Sequence, residues 1–256
     1  VSDAIENLLH EERRFDPPGK FTAEANAQRG IHEEASADPM AFWAKESEKI
    51  EWRKPWDTLL DSSDAPFYRW FEGGRLNVTE SCLDRHVKSH PDRVAFHWEG
   101  EPGDSISLTY SDLLAQVCQC AGALKQMGIG KGDTVAIYMG MVPEITVAML
   151  ACARIGAAHS VVFGGFSADS LRERLDDASC KGVITQDGSW RRGKVVPLKD
   201  NVDQALLNQE TVSSVLVLQR CENEVQWNDS RDHWWHDVVP QQPEFLEAEE
   251  MDAEDL

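Results

Sequence analysis

The chain has no run of apolar residues close to the roughly 20 needed to cross a bilayer, and this excludes a membrane-spanning helix. Its opening residues, Val1-Ser2-Asp3-Ala4-Ile5-Glu6, carry neither a basic nor an apolar stretch, so no secretory signal is expected. A first residue of Val rather than Met points to a processed or otherwise chosen boundary. Positive charge is scarce: 25 Lys and Arg stand against 45 Asp and Glu, for a net charge of −20. So acidic a surface repels polyanions, which argues against nucleic acid and anionic membrane as partners. None of the six cysteines (Cys82, Cys118, Cys120, Cys152, Cys180 and Cys221) forms a Cys-x-x-Cys pair. A zinc site is therefore not expected, and the thiols read as buried apolar groups in a reducing cytoplasm. G-x-S-x-G, H-E-x-x-H and paired carboxylates with an evident partner are also missing, so no catalytic residue and no metal ligand is assigned.

What is present suffices for a sizeable core, since 41% of 256 residues are hydrophobic. Residues 1–75 read as an N-terminal helical and irregular extension, rich in charge and aromatics. They hold two short amphipathic pieces, at residues 3–14 and 39–50, the second carrying Phe42, Trp43 and Ile50. Pro17-Pro18, Pro55 and Pro66 punctuate this region. Trp43, Trp52, Trp56 and Trp70 are expected to anchor it by packing on a larger body.

From residue 76 the pattern alternates strand and helix. Residues 94–98 and 106–110 read as a hairpin. Ser111 is the expected N-cap of a helix whose apolar face is Leu113, Leu114, Val117, Ala121, Leu124 and Met127, with Gly128 as its stop. Strands are expected at 134–139, 159–163, 182–185 and 212–218. Helices are expected from Pro143 to Gly156, after Ser167, and near 202–207. This is the pattern of an α/β domain with a mostly parallel sheet, and residues 76–256 are its extent. The acidic segment 244–256 reads as a linker. A parallel sheet cut midway would leave apolar strand faces uncovered, so poor solubility of the isolated chain is expected.

Two strand exits draw attention. Phe163-Gly164-Gly165-Phe166-Ser167 places a glycine pair between a strand and a helix N-terminus, where a ligand can approach the backbone. Trp190-Arg191-Arg192-Gly193-Lys194 places cations in the loop 187–194, where Arg191 and Lys194 can converge on one phosphate. Loops at the carboxyl ends of neighbouring strands face one crevice in an open sheet. The bland alternatives are a tight turn and a solvated basic loop. Gly188 to Val195 nearly matches a P-loop, but Val195 lacks the hydroxyl for Mg²⁺ and bulky Trp190, Arg191 and Arg192 fill the loop. His233-Trp234-Trp235-His236 reads as a short aromatic helix rather than a metal cluster.

Several longer segments resemble AMP-forming acetyl-CoA synthetases. They are Trp70-Phe71-Glu72-Gly73-Gly74-Arg75-Leu76-Asn77-Val78, Cys82-Leu83-Asp84-Arg85-His86-Val87, Gly132-Asp133-Thr134-Val135-Ala136-Ile137-Tyr138-Met139, His159 through Ser167, and Arg231-Asp232-His233-Trp234-Trp235-His236-Asp237. The resemblance covers essentially the whole chain. It implies the first part of the AMP-binding, adenylate-forming domain behind the extension typical of these enzymes. It also implies a reaction: acetate and ATP give an acetyl-adenylate and pyrophosphate with Mg²⁺, and CoA then displaces AMP. It assigns Arg191, Arg192, Gly193 and Lys194, with Gly164 and Gly165, to CoA binding. Lys194 stands where the family commonly has Arg, which keeps the charge and loses the fork. The Ser/Thr/Gly-rich phosphate loop, the adenine segment, the hinge aspartate, the adenylation lysine and the Mg²⁺ site are absent from this sequence. The resemblance thus implies about the first 40% of a large multidomain enzyme, inactive by itself, with the remainder of the synthetase as its partner. A propionyl-CoA synthetase segment or a non-catalytic CoA-binding module are the alternatives.

Overall fold

A computed structural model describes residues 13–256, and the chain divides into two compact units, one ending at Lys49 and one spanning Ile50–Leu256. The amphipathic piece expected at 3–14 lies outside the described residues except for its last two positions. In the first unit three short helices follow one another: α1 (Gly19–Glu24), α2 (Ile31–Ala37) and α3 (Pro39–Ser47). Asp38 caps α3 by accepting from the Ala41 N–H at 2.9 Å, and Pro39 fills the first turn, where no N–H is needed. Lys45 bridges to Glu34 of α2 at 2.8 Å.

The second unit starts with short antiparallel pieces: β1 (Thr58–Asp61) with β2 (Arg69–Glu72), and β3 (Arg75–Leu76). Trp52, Trp56 and Trp70 gather around Phe71, with ring centroids 5.6, 6.3 and 5.9 Å away. A π-helical turn (Glu80–Asp84) runs into α4 (Arg85–Ser89). The hairpin β4 (Val94–Glu99) and β5 (Ser105–Thr109) forms as expected. It leads into α5 (Tyr110–Gln126), capped by Thr109 rather than Ser111. The reason lies three residues on. Thr109 has Asp112 at that spacing, and the two exchange bonds as a capping box: the Thr109 Oγ1 accepts from the Asp112 N–H at 3.1 Å, while Asp112 accepts from the Thr109 N–H at 3.1 Å. Ser111 would have had Leu114 there. Gly128, at φ 81°, closes the helix.

The central sheet contains β6 (Thr134–Met139), β7 (Ala158–Phe163), β8 (Gly182–Gln186), β11 (Ser214–Leu218) and β12 (Asp232–Trp234), in the order β12-β11-β8-β6-β7 and parallel throughout. Parallel strands need long crossovers, and the intervening helices cover both faces. On one face α5 and α6 (Pro143–Arg154) pack on Val135, Ile137, Met139, Ile184 and Leu216. On the other, α7 (Ala168–Asp177) and α8 (Leu198–Ala205) pack on Ala136, Tyr138, Val162, Val183 and Val215. Each such Leu, Ile or Val contributes about 1.5–3 kcal/mol by its burial. The edge strand β7 is covered on one side only: Val162 is 1% exposed, but Val161 and Phe163 are 48% and 59% exposed.

Four readings need correction. The loop expected at 187–194 is a β-hairpin, β9 (Ser189–Arg191) and β10 (Lys194–Val196). The helix expected near 202–207 begins at Leu198, directly after Pro197, which supplies a preset entry angle. His233 and Trp234 belong to strand β12, and only from Trp235 does the chain turn into α9 (Trp235–Val238), because the sheet offers Val215–Val217 as a pairing edge. The segment 244–256 is docked rather than free. Its β13 (Met251–Asp252) pairs with β3, the Glu249 N–H donates to the Arg154 carbonyl at 2.8 Å, and the buried Asn77 amide donates to the Glu249 carbonyl at 2.8 Å.

Candidate functional site

A crevice of about 300 Å³ opens at the carboxyl ends of β6, β7 and β8. It lies where α6, following β6, covers one face of the sheet and α8, following β8, covers the other. Such a reversal parts the loops and leaves a cleft between them. The two exits singled out in the sequence do not follow adjacent strands, because β6 runs between β7 and β8. They converge nevertheless: Gly164, Gly165 and Arg191 all line the crevice, together with Gly140 and Met141 from the β6 exit.

The hairpin geometry decides what the cations can do. Arg191 and Lys194 are paired positions of an antiparallel ribbon, so their side chains leave from the same face. Arg192 and Gly193 form the turn with φ 53° and 71°, the left-handed geometry that matches strand twist. Ser189, Arg191 and Val196 of that face line the crevice, and Lys194 stands opposite Arg191 on the rung next to the turn. Arg192, Gly193 and Lys194 do not line the cavity itself; they are exposed at its rim. Among the described residues Arg191, Arg192 and Lys194 form no ion pair, so their charge is available. The Gly193 N–H donates to Glu101 at 2.5 Å. A P-loop is excluded, since the lysine opens a strand, Lys194–Val196, and the next helix starts only at Leu198, after Pro197.

The glycines are needed sterically. A Cβ on Gly165 would lie 2.5 Å from Phe163 Cε1 and 2.7 Å from Arg191 Nη1, and the Arg191 guanidinium lies 5.4 Å from the Phe163 ring centroid. A Cβ on Gly164 would press on the Met139 carbonyl at 3.1 Å. The bare backbone therefore leaves room for an aromatic and cationic lining formed by Phe163, Trp190 and Arg191.

Buried polar side chains at the strand ends hold these loops. The Gln186 Oε1 accepts from the Gly140 N–H at 3.0 Å, and its Nε2 donates to the Gly188 carbonyl. The Asp187 carboxylate accepts from the N–H groups of Gly188, Arg220, Cys221 and Glu222 at 2.6–3.0 Å. The Tyr138 hydroxyl donates to the Phe166 carbonyl at 2.7 Å and accepts from Asn201 Nδ2 at 3.1 Å; burial raises its pKa above the usual phenol value.

The outer wall is the β4–β5 hairpin. Trp98 Nε1 donates to the Met141 carbonyl at 2.8 Å, and Arg220 holds Asp104 at 2.8 Å while lying over the Trp98 ring. The hydrogen bond from Arg220 keeps the Asp104 carboxyl below its ordinary value. Burial pushes the Cys221 thiol up to about 11, so it is no nucleophile at neutral pH. Trp98, Gly140, Gln186 and Arg220 were not found from sequence. Gly140 had a usable signal, standing directly behind an apolar strand as Gly164 does.

Comparison with known proteins gives a consistent result. The family model described as AMP-binding enzyme matches residues 83–256, and the one described as acetyl-coenzyme A synthetase N-terminus matches residues 28–82. The acetyl-coenzyme A synthetase of Streptomyces avermitilis is 50% identical over 254 residues, covering 99% of this chain and 39% of its own length. That of Mycolicibacterium smegmatis is 51% identical over 242 residues, covering 93% and 26%. That of Gemmatimonas aurantiaca is 48% identical over 260 residues, covering 98% and 40%. The chain thus spans 39% of the length of the first of these relatives.

Proposed function

Since the chain belongs to the family of AMP-binding enzymes, we propose that it is the N-terminal portion of an acetate–CoA ligase and that its crevice receives CoA. The whole enzyme would join acetate to ATP as an acetyl-adenylate, releasing pyrophosphate, and then transfer the acetyl group to the CoA thiol with loss of AMP. The observation that carries the CoA reading is the convergence of Gly164, Gly165 and Arg191 on one crevice, with unpaired Lys194 at its rim. Arg191 and Lys194 would hold a phosphate of the nucleotide end, with Arg192 adding to the local field and Gly193 setting the turn. A charged hydrogen bond contributes about 1.5–3 kcal/mol, less at an open rim. The Gly164-Gly165 backbone would let the pantetheine arm pass.

Mg²⁺, when bound, would neutralise phosphate charge in the adenylation step. Among the described residues no group of three or more His, Cys, Asp or Glu is placed to hold a metal ion, so no residue here is assigned to it. Among the described residues no helix is long and apolar enough to cross a membrane, and the cysteines are free thiols. Both fit a place in the cytoplasm.

Lys194→Ala, made in the synthetase that carries this segment, tests the reading. CoA affinity should fall about tenfold, while acetate-dependent exchange of pyrophosphate into ATP continues unchanged. Loss of that exchange with normal CoA affinity would reverse the assignment.

A further inference from the structure

The Gly164–Phe166 turn rests on a single phenol. Tyr138 lies on β6 and is fully buried, yet its hydroxyl reaches the far side of the turn and donates to the Phe166 carbonyl at 2.7 Å. The Gly164 carbonyl lies at 3.4 Å from the same oxygen. Among the described residues the turn makes one further bond, from the Phe166 N–H to the Phe163 carbonyl at 2.9 Å. The hydroxyl has one proton to give. Asn201 of α8 decides where it goes: its Nδ2 donates to the phenol oxygen at 3.1 Å, which leaves the proton free to point at the turn.

Tyr138 itself does not line the crevice, whereas Gly164 and Gly165 do. The turn carries the crevice wall at Gly164 and Gly165 and the Phe163 ring that lies 5.4 Å from the Arg191 guanidinium, so a change in its height would alter both the wall and that contact. From this arrangement we infer that Tyr138, oriented by Asn201, is a positioning residue for CoA, fixing the height of the glycine turn without touching the ligand. The inference rests on the CoA reading above and adds to it a residue that acts through the turn.

The test uses the synthetase that carries this segment, hydrogen–deuterium exchange over residues 163–167, and calorimetric titration with CoA. Tyr138→Phe keeps the ring and removes only the hydroxyl. Val117→Ala, in the core under the opposite sheet face, serves as a control of lowered thermal midpoint. Asn201→Leu is the second variant, should Tyr138→Phe fold poorly; it leaves the phenol in place but unoriented.

Tyr138→Phe is expected to speed exchange in 163–167 at least fivefold and to weaken CoA binding roughly tenfold, the size of one lost hydrogen bond. Asn201→Leu should move both readouts in the same direction by a smaller factor. Val117→Ala should lower the midpoint and move neither. Unchanged exchange and affinity in Tyr138→Phe would overturn the proposal, and so would equal changes in Val117→Ala, which would make the effect one of stability. Failure of the unaltered synthetase to bind CoA at this crevice, seen as no CoA-dependent protection of residues 163–167 while Tyr138→Phe still raises exchange there, would overturn the CoA reading itself.

Discussion

Arg191 and Lys194 face each other as paired positions across the Arg192–Gly193 turn, with both side chains on the ribbon face that meets the crevice. A loop could offer the same two charges only by freezing several torsions on binding. The ribbon has already fixed them, so less ordering is left for the ligand to bring about. An anion with three oxygens can then meet both cations at once.

The glycine beside Arg191 should be intolerant of a methyl group. Gly165→Ala would set a Cβ into Phe163 and the Arg191 guanidinium, forcing both to turn away. The chain should fold, since both obstacles are side-chain ends, and CoA affinity measured by calorimetry should fall about tenfold, the order of one good contact. Gly193→Ala meets open space but is held at φ 71°. It should cost about 1 kcal/mol in chemical denaturation and leave the crevice shape unchanged. Equal effects of the two substitutions on CoA would contradict this division.

Asp187 is expected to matter for stability out of proportion to its position in a loop. Its buried carboxylate collects four backbone N–H groups from the hairpin base and the segment behind β11. Asp187→Asn turns an acceptor-only group into one that also presents donors. A loss of about 2–3 kcal/mol follows, seen as a fall of roughly 5–10 °C in the thermal midpoint. A shift under 2 °C, on the order of half a kcal/mol, would show that water or rearranged backbone replaces the carboxylate.

Acid should act through Asp232. Burial by itself would raise its pKa, but hydrogen bonds from Arg231, Lys199 and the Asn228 N–H outweigh burial and hold it below 3.8. A carboxylate with a depressed folded-state pKa stabilises the fold at pH above its ordinary value, and that contribution disappears as pH falls below 3.8 through the depressed value. Urea midpoints should therefore hold steady down to about pH 4 and drop below it. Asp232→Asn should be destabilised at pH 7 by about 1.5–3 kcal/mol, since it removes one of the two carboxylates that hold the buried Lys199 and leaves Asp203 as the other. Its midpoints should also decline less steeply in acid. An unchanged slope would assign the acid response to other carboxylates.

The parallel strands and their helices were readable because apolar periodicity and glycine stops are local: Gly128 and Gly156 close helices where the pattern ends, and Ser167 caps α7. The β9–β10 hairpin was not readable. Its turn is Arg-Gly rather than Asn-Gly, and Arg192 adopts positive φ because strand pairing on either side demands it. The docking of 244–256 escaped for a similar reason, since Asn77 and Arg154, which hold it, lie far away in sequence. Of the site, the glycine pair and the cations could be named from the chain. Trp98, Gln186 and Arg220 could not, because only the folded sheet places them around the same crevice.

Titration with CoA and with dephospho-CoA, which lacks the 3′-phosphate, tests the central claim most directly, using the synthetase that carries this segment, unaltered and as the Arg191→Ala/Lys194→Ala double variant. The expected result is that the double substitution weakens CoA by roughly one to two decades and hardly changes dephospho-CoA. Equal losses for both ligands would place the hairpin cations on the diphosphate that dephospho-CoA keeps, and no loss for either would mean that they do not recognise a phosphate of CoA.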